Sequence, residues 1–242
     1  MRHAASTVAP HGRRVQLACF RRMASQPVEH PAFARVYAAL AKYAEAHGGA
    51  EHRRRLLAGL SGRVIEVGAG SGTNFAHYPD TVSEVLAIEP ERHMRARALE
   101  AATRTHVAIE VVDGDAEHLP GADGSFDAGV TSLVLCTVPD QAAALAELVR
   151  VIRSSGELRF YEHVVSHRRW EARIQRLADG TFWPRLAGGC HLARDTASAI
   201  ERAGFEIETC ERFGFSFAPL LPPDPHVLGR ARRPSPAVNA PL

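Results

Sequence analysis

A glycine-rich turn that follows a β-branched run constrains this chain most. Residues 64–72 read VIEVGAGSG, so a predicted strand carries an acidic residue, Glu66, and then glycine stands at every second position. Glycine adopts backbone angles closed to other residues, and without a Cβ it lets the backbone approach a ligand closely. In an open α/β sheet such a turn lies at the carboxyl end of a strand, where ligands bind. The stretch therefore predicts an α/β fold with a ligand site at this turn.

Three other interpretations of the glycines are possible. The dinucleotide fingerprint G-x-G-x-x-G would begin at Gly68 but requires a glycine where the chain has Thr73. A phosphate-binding P-loop requires a lysine after its last glycine, and the single lysine of the chain is Lys42. An ordinary tight turn stays open on this motif alone, so the rest of the chain has to decide.

Composition excludes several classes of function. The net charge is +2 over 242 residues, which gives no electrostatic reason to expect nucleic-acid binding. The four cysteines form no C-x-x-C pair and the histidines no H-E-x-x-H pair, so we predict no metal site. No apolar run approaches the roughly 18 residues that a membrane-spanning helix needs. We therefore expect a soluble, cytoplasmic protein without a transmembrane segment.

The order of predicted elements indicates one main domain. After the glycine turn, strands are predicted at 85–89, 107–112, 126–135, 158–164 and 205–213, with 227–231 as a candidate last strand. Helices are predicted at 91–102, around 145–152, and from Asp195 to Ile200 with Gly204 as its stop. The nearly continuous apolar run 126–135 is typical of a buried parallel strand. This alternation predicts an α/β, doubly wound, mostly parallel sheet.

Further motifs follow in a fixed order. Glu89 closes the second predicted strand, 23 residues after Glu66, where an acid can accept from both hydroxyls of a ribose. The segment 113–120, with Asp115 and Ala116, matches D-A-x-x-L-P, and 147–152 is close to E-x-x-R-V-L. Together with the glycine turn these motifs resemble the class I S-adenosylmethionine-dependent methyltransferases. The family usually continues with Lys-Pro-Gly-Gly, whereas this chain has Arg-Ser-Ser-Gly at 153–156, a departure in a surface turn.

The resemblance implies a Rossmann-like seven-stranded methyltransferase fold with S-adenosyl-L-methionine as cofactor. In the family the aspartate of D-A-x-x-L-P accepts from the adenine amino group, and the backbone N–H that follows meets a ring nitrogen. The implied cofactor-binding residues are Glu66, Gly68, Gly70, Gly72, Asn74, Glu89, Asp115, Ala116 and Ser132. The implied domain plan is a disordered arm (1–30), N-terminal helices over the cofactor site (31–60), the methyltransferase domain (61–233) and a tail (234–242).

A looser resemblance concerns the acceptor. The segments 160–164, 188–191 and 194–196 look like the methyltransferase-like thiol methyltransferases, although the N-terminal apolar helix of the membrane-anchored members is not seen in this sequence. We therefore expect a small, apolar acceptor, with a thiol or phenol favoured and the oligomeric state open. The alternatives are a non-catalytic S-adenosylmethionine-binding protein and a lipid-headgroup N-methyltransferase. A nucleic-acid methyltransferase is disfavoured, because 136–139 read CTVP where such enzymes usually carry [DNS]-P-P-[YF].

The candidate catalytic residues stand at the end of the fifth predicted strand. His163 is the candidate base, because histidine titrates in the useful range, and a structural histidine is the alternative. Glu162 precedes it as a second candidate. Cys136 is predicted to be a small buried hydrophobe. The segment 181–194 is predicted to wall or cover an apolar acceptor, or simply to pack on the sheet.

Overall fold

A seven-stranded sheet with the order β3-β2-β1-β4-β5-β7-β6 carries the site. The structure is a computed structural model and describes residues 43–216 and 222–235. Its strands are β1 (Gly62–Val67), β2 (Val82–Ile88), β3 (Ala108–Val112), β4 (Phe126–Ser132), β5 (Ile152–His163), β6 (Glu206–Phe215) and β7 (Asp224–Arg232). Its helices are α1 (Ala50–Leu57), α2 (Arg92–Ala102), α3 (Gln141–Val151), α4 (Arg169–Asp179), the single turn α5 (Trp183–Leu186) and α6 (Thr196–Arg202).

The direction of the strands confirms the predicted fold class. β1 pairs in parallel with β2 and β4, β2 with β3, and β4 with β5. β7 alone runs against the others, between β5 and β6. The chain leaves β1 in one direction along the sheet for β2 and β3, and returns on its other side for β4. Such a reversal opens a crevice at the carboxyl ends of β1 and β4, and ligands bind there in open α/β sheets.

Helices cover both faces of the sheet. On one face α1 and α2 pack through Leu56, Leu57 and Ala98 against the apolar side chains of the central strands. On the other face α3 and α6 pack through Leu145 and Ile200. Side chains alternate across a strand, so both faces of the central strands must be apolar. This explains why those strands read as continuous apolar runs in the sequence.

Two strand boundaries differ from prediction. The predicted fourth strand, 126–135, is too long: β4 ends at Ser132, because Leu133 takes φ 61° and turns the chain. Leu135 remains fully buried in that turn, which is why the sequence reads on as if it were strand. β5 begins at Ile152 and not at 158, and its pairing with β4 shifts register on the way.

The other predicted elements agree more closely. β2 starts three residues before prediction, β6 covers 206–215 and the candidate last strand is present as β7. Asp195 caps α6 as predicted, by accepting from the Ser198 backbone N–H. Gly48, with φ 119°, breaks the helical path before α1.

Several predicted features lie outside the described residues. They are the arm 1–30, the first part of the N-terminal helices (31–42) and most of the tail. Within residues 43–216 and 222–235, no helix has both the length and the apolar character needed to cross a membrane.

Candidate active site

The glycine turn, residues 68–72, uses its three glycines for different purposes. All three have positive φ, at 66°, 58° and 77°. A Cβ on Gly68 would lie 2.4 Å from the Val134 side chain, and one on Gly72 would lie 2.7 Å from the Phe75 ring. A Cβ on Gly70 would meet no atom within 4 Å. Gly68 and Gly72 therefore allow tight packing beneath the turn, whereas Gly70 borders open space that a ligand can occupy.

That open space belongs to a pocket at the ends of β1 and β4, which Arg53 of α1 also lines. Its lining residues are Arg53, Glu66, Gly68, Ala69, Gly70, Ser71, Thr73, Asn74 and Ser132. Of the residues predicted to bind the cofactor, the lining thus brings together Glu66, Gly68, Gly70, Asn74 and Ser132.

A network of buried, hydrogen-bonded side chains forms the floor of the pocket. The carboxylate of Glu66 accepts from Asn74 Nδ2 at 2.8 Å and from the Tyr78 hydroxyl at 2.7 Å. Burial raises the pKa of Glu66 to about 7, although both hydrogen bonds and the charge of Arg53 oppose the shift. Asn74 Oδ1 in turn accepts from Arg53 Nη1 at 2.8 Å, and Arg53 Nη1 also reaches Ser132 Oγ at 3.0 Å. This hydrogen-bond network therefore links α1, β1 and β4 around the pocket.

Arg53 is the site residue that the sequence analysis missed. The residue is only 7% exposed, it lines the pocket, and its Nε donates to Glu45 Oε1 at 2.6 Å. The helical spacing of the sequence could have shown that Arg53 faces inward. Leu56 and Leu57, three and four residues later, are buried, so Arg53 shares their inward face while Arg54 points outward. An arginine on an apolar helix face, directed at a glycine turn, indicates an anionic ligand group.

Glu89 holds the glycine turn from the neighbouring strand. Its Oε2 accepts from the Gly70 backbone N–H at 2.7 Å, and its Oε1 accepts from the Glu91 N–H at 2.8 Å. Burial raises the pKa of Glu89, and these two backbone hydrogen bonds oppose the rise. Each carboxylate oxygen keeps further acceptor capacity. Glu89 is thus fixed at the edge of the turn with lone pairs left for ribose hydroxyls.

The two residues predicted to bind adenine lie one strand further along the sheet. Asp115 and Ala116 follow β3, which pairs with β2. Asp115 Oδ1 accepts from the Glu117 N–H and contacts His118 Nδ1, both at 3.0 Å, which shapes a tight turn. Ala116 packs into the core beneath that turn. The structure therefore places both residues at the same sheet edge as Glu89, at the end of the next strand.

The candidate catalytic Glu162 is enclosed by protein. It is fully buried, and its carboxylate accepts from the backbone N–H groups of Val134 and Cys136, each at 3.3 Å. Burial raises the pKa of Glu162 to about 7, while these contacts pull it down. Its hydrogen bonds hold the turn after β4, which includes Val134 beneath Gly68. This arrangement favours a positioning role for Glu162 over contact with an acceptor.

The candidate base His163 is buried as well. Burial lowers the pKa of His163 to about 4, and Asp179 and the His191 backbone oppose the shift only in part. His163 belongs to an aromatic cluster whose neighbouring ring centroids lie 4.4–6.0 Å apart. The members of this cluster are His52, Tyr161, His163, Phe213, Phe215 and His226. It begins beside the pocket, because Tyr161 is the register partner of Ser132.

The segment 181–194 lies over the turn after β4. The His191 N–H donates to the Cys136 carbonyl at 2.8 Å, and Arg194 Nη1 donates to the Leu135 carbonyl at 2.7 Å. The Asp179 carboxylate, at the end of α4, accepts from the N–H groups of Leu192 and Ala193. The segment is thus anchored at the carboxyl edge of β4 and β5. Cys136 beneath it is buried, as predicted.

These residues fit S-adenosyl-L-methionine. The space at Gly70 is open, the Arg53 guanidinium is complementary to a carboxylate, and the Glu89 carboxylate is complementary to the hydroxyls of a ribose. The donor and acceptor types thus follow the order of the groups in that cofactor, from β4 across β1 to β3.

Comparison with known proteins agrees with this assignment. The sequence profile described as "Methyltransferase domain" matches residues 65–160. Human thiol S-methyltransferase TMT1B is 36% identical over 183 residues, which cover 72% of this chain and 73% of that protein. Human thiol S-methyltransferase TMT1A is 37% identical over 156 residues, which cover 62% and 63%. Demethylmenaquinone methyltransferase of Renibacterium salmoninarum is 38% identical over 96 residues, 40% of this chain and 39% of the relative.

Solved structures share the fold at low sequence identity. A putative methyltransferase from Bacillus halodurans has a TM-score of 0.63 at 18% identity, covering 76% of this chain and 97% of its own. An S-adenosylmethionine-dependent methyltransferase from Thermotoga maritima, titled a possible histamine N-methyltransferase, has a TM-score of 0.60 at 19% identity, covering 83% and 98%.

The sheet order and the glycine turn define a Rossmann-like protein of the methyltransferase fold. The chain belongs to the class I S-adenosylmethionine-dependent methyltransferases, as its 36% identity to a relative over 73% of that relative's length shows. It is therefore an enzyme that takes its methyl group from S-adenosyl-L-methionine, and the predicted resemblance to the thiol methyltransferases is confirmed.

Proposed function

We propose that this enzyme methylates the sulfur of a small, apolar thiol. The observation that carries the proposal is the state of His163, whose pKa is lowered to about 4 by burial. A base of that strength takes few protons from any acceptor near pH 7. The acceptor must therefore ionise largely by itself, which a thiol does far better than a phenol or an alcohol.

The ionised fraction at pH 7 distinguishes the candidate acceptors. With a pKa of about 8.5, a thiol is roughly 3% thiolate at pH 7, whereas a phenol of pKa about 10 is roughly 0.1% phenolate. Thiolates are also strong nucleophiles. The curated relatives named thiol S-methyltransferases agree with this choice.

The reaction is an in-line displacement. When bound, S-adenosyl-L-methionine would supply a methyl group on a positively charged sulfur, whose transfer to the acceptor thiolate would give a thioether and release S-adenosylhomocysteine. The protein has to align the groups and exclude water. We assign the methionine carboxylate to Arg53, the ribose to Glu89, and the adenine to Asp115 and Ala116. The carboxylate of Glu162 keeps the turn after β4 in place under Gly68.

Ionisation of the acceptor gives a direct test. With an apolar thiol whose pKa is near 8.5, kcat/KM should rise about tenfold per pH unit between pH 6 and 8, because only the thiolate reacts. A matched alkyl phenol should react at least tenfold more slowly at pH 7. His163→Gln should keep both the slope and most of the rate. A large rate loss in this variant, partly restored at high pH, would instead make His163 the base.

The same assay tests the alternatives. A protein that only binds the cofactor would form no S-adenosylhomocysteine with any acceptor, and a headgroup methyltransferase would form it with phosphatidylethanolamine. The relatives support a small-molecule acceptor and support neither alternative. The cytoplasmic location and the lack of nucleic-acid binding stay predictions, which cell fractionation and a binding assay with RNA would examine.

A further inference from the structure

Helix α4 turns an apolar stripe away from the protein. Trp170, Ile174 and Leu177 are 61%, 58% and 70% exposed, and their spacing of four and three places them on one side of the helix. The residues that α4 buries are instead Ala172 and Gln175, on the opposite side. Large apolar side chains normally occupy the buried side of such a helix.

The following turn extends this stripe. Phe182, just before α5, and Leu186, its last residue, are 54% and 70% exposed. Five large apolar side chains thus face outward within 17 residues of the chain, from 170 to 186. An exposed apolar patch of this kind, next to charged residues, marks an interaction site.

Unpaired arginines border the stripe. Arg169, Arg173 and Arg176 repeat at the same spacing along one flank of α4, and Arg185 lies on α5; all four are exposed. None of the four forms an ion pair with another described residue. The two acids of α4 are engaged elsewhere: Glu171 with Ser166 and Arg168, and Asp179 with the 192–193 backbone. The flank therefore carries an uncompensated positive charge.

We propose that this apolar and arginine-rich face of α4 and α5 docks on the surface of an anionic lipid bilayer. A helix with Trp and Leu on one side and arginines beside them lies in the plane of the interface, with its apolar side among the acyl chains. Each arginine near an anionic surface adds a further favourable contribution. The proposal concerns peripheral binding and needs no spanning helix.

Charge disfavours the other partners that could cover this face, namely a second copy of the protein or another segment of the same chain. A second copy of the chain would bring the same arginines to the contact. Residues 1–42 contain seven basic residues and one acid, and residues 217–221 and 236–242 contain no charged residue at all. The segment 236–242 also follows Ser235, whose hydroxyl lies 2.7 Å from Ser155 near the opposite end of β5 from α4. An anionic bilayer is the occupant that matches both the apolar stripe and the arginines.

Docking would bring lipid close to the acceptor side of the enzyme. α4 ends in Asp179, which holds the 181–194 segment over the carboxyl edge of β4 and β5. An apolar thiol partitions into the acyl region, so a docked enzyme would meet its acceptor at a raised concentration. This consequence rests on the proposed function, whereas the docking itself does not.

Tryptophan fluorescence reports on the proposed face directly. The chain has two tryptophans, Trp170 and Trp183, so Trp183→Phe leaves Trp170 as the sole reporter. In buffer its emission should be that of an exposed indole and should be quenched freely by acrylamide. Vesicles of phosphatidylcholine with phosphatidylglycerol should shift it to shorter wavelength, and vesicles of phosphatidylcholine alone should shift it much less. Raising the salt concentration should weaken the effect.

Flotation with the same vesicles, using the full chain with both tryptophans, tests the side chains. Ile174→Ser with Leu177→Ser should lower the partition coefficient at least about tenfold, because two large apolar groups no longer enter the acyl region. Leu99→Ser is the matched control, since Leu99 is 51% exposed but lies on α2, and should have no effect. Arg173→Gln with Arg176→Gln should lower binding to anionic vesicles about tenfold or more.

Three results would overturn the proposal. Flotation that is unchanged in the Ile174 and Leu177 variant would attribute the binding to another part, such as the basic first 42 residues. An emission maximum for Trp170 that is already blue in buffer, or protection from acrylamide, would mean that protein covers the face. A dimer by light scattering that the same variant abolishes would make a second copy the occupant. Turnover of a water-soluble thiol without vesicles is scored separately, so it fails only if the proposed function fails.

Discussion

Replacing Arg53 tests how the pocket recognises the methionine end of its cofactor. The guanidinium is buried and is held by Glu45, Asn74 and Ser132 at 2.6, 2.8 and 3.0 Å. A hydrogen bond to a charged group contributes about 1.5–3 kcal/mol. Arg53→Gln should therefore weaken binding of S-adenosylhomocysteine by about 10- to 150-fold, because RT is about 0.59 kcal/mol and each 1.4 kcal/mol is a factor of ten.

Isothermal titration with two ligands separates recognition from folding. S-adenosylhomocysteine carries the carboxylate, whereas methylthioadenosine has the nucleoside without the amino-acid part. The variant should lose affinity for the first and keep its affinity for the second within about twofold. Arg54→Gln is the matched control: Arg54 is 60% exposed and pairs with Glu51 on the surface of the same helix, so neither affinity should change.

An equal loss for both ligands would refute the reasoning. It would show that Arg53 acts by holding Asn74 and Ser132 in place, and so by shaping the whole pocket. The thermal midpoint has to be measured alongside, because Asn74 loses a buried partner and an unsatisfied buried group costs about 1–3 kcal/mol. Arg53→Lys helps here, since it retains the positive charge but loses the planar donor geometry.

Three further predictions concern the glycine turn, Glu89 and the buried histidines. Gly70→Val should abolish cofactor binding in a titration, whereas Gly59→Val, at a residue that also has positive φ and open surroundings, should only lower the thermal midpoint. Glu89→Ala should cost about 1–3 kcal/mol of cofactor affinity while the circular dichroism spectrum stays unchanged. His163 and His226 have pKa values lowered to about 4 and about 3 by burial, so stability should be full above pH 6.5 and fall as the pH drops towards 4; a midpoint that stays constant from pH 7 to 4 would contradict their burial as neutral rings.

The features that could be predicted from sequence are those that depend on short stretches. The glycine turn, the acid that ends β2 and the apolar parallel strands each follow from local spacing or from residues with unusual backbone freedom. The seven-stranded methyltransferase fold is implied by a family resemblance that rests on several such motifs in a fixed order. Agreement among independent motifs is more informative than any one of them.

The end of β4 could not be predicted in this way. Residues 133–138 continue the apolar pattern of the strand, yet they form a turn that the 181–194 segment and Glu162 bury. An apolar run shows that a segment is buried but not which element buries it. The sequence likewise predicts that His163 ends a strand but cannot predict the aromatic cluster around it. That cluster comes from four separate elements.

The charges of the site are distributed unevenly, and this bears on its chemistry. Arg53, Glu66 and Glu89 all lie around the glycine turn; Asn74 links Arg53 to Glu66, and the Gly70 backbone N–H donates to Glu89. Beyond Ser132 the described side chains turn to aromatic rings and to histidines that burial keeps neutral. A sulfonium already supplies a good leaving group, so the protein's main task is to hold donor and acceptor in line. Neutral rings do not stabilise an anion, so under the proposed function the charge of an acceptor thiolate would be balanced by the sulfonium of the bound cofactor.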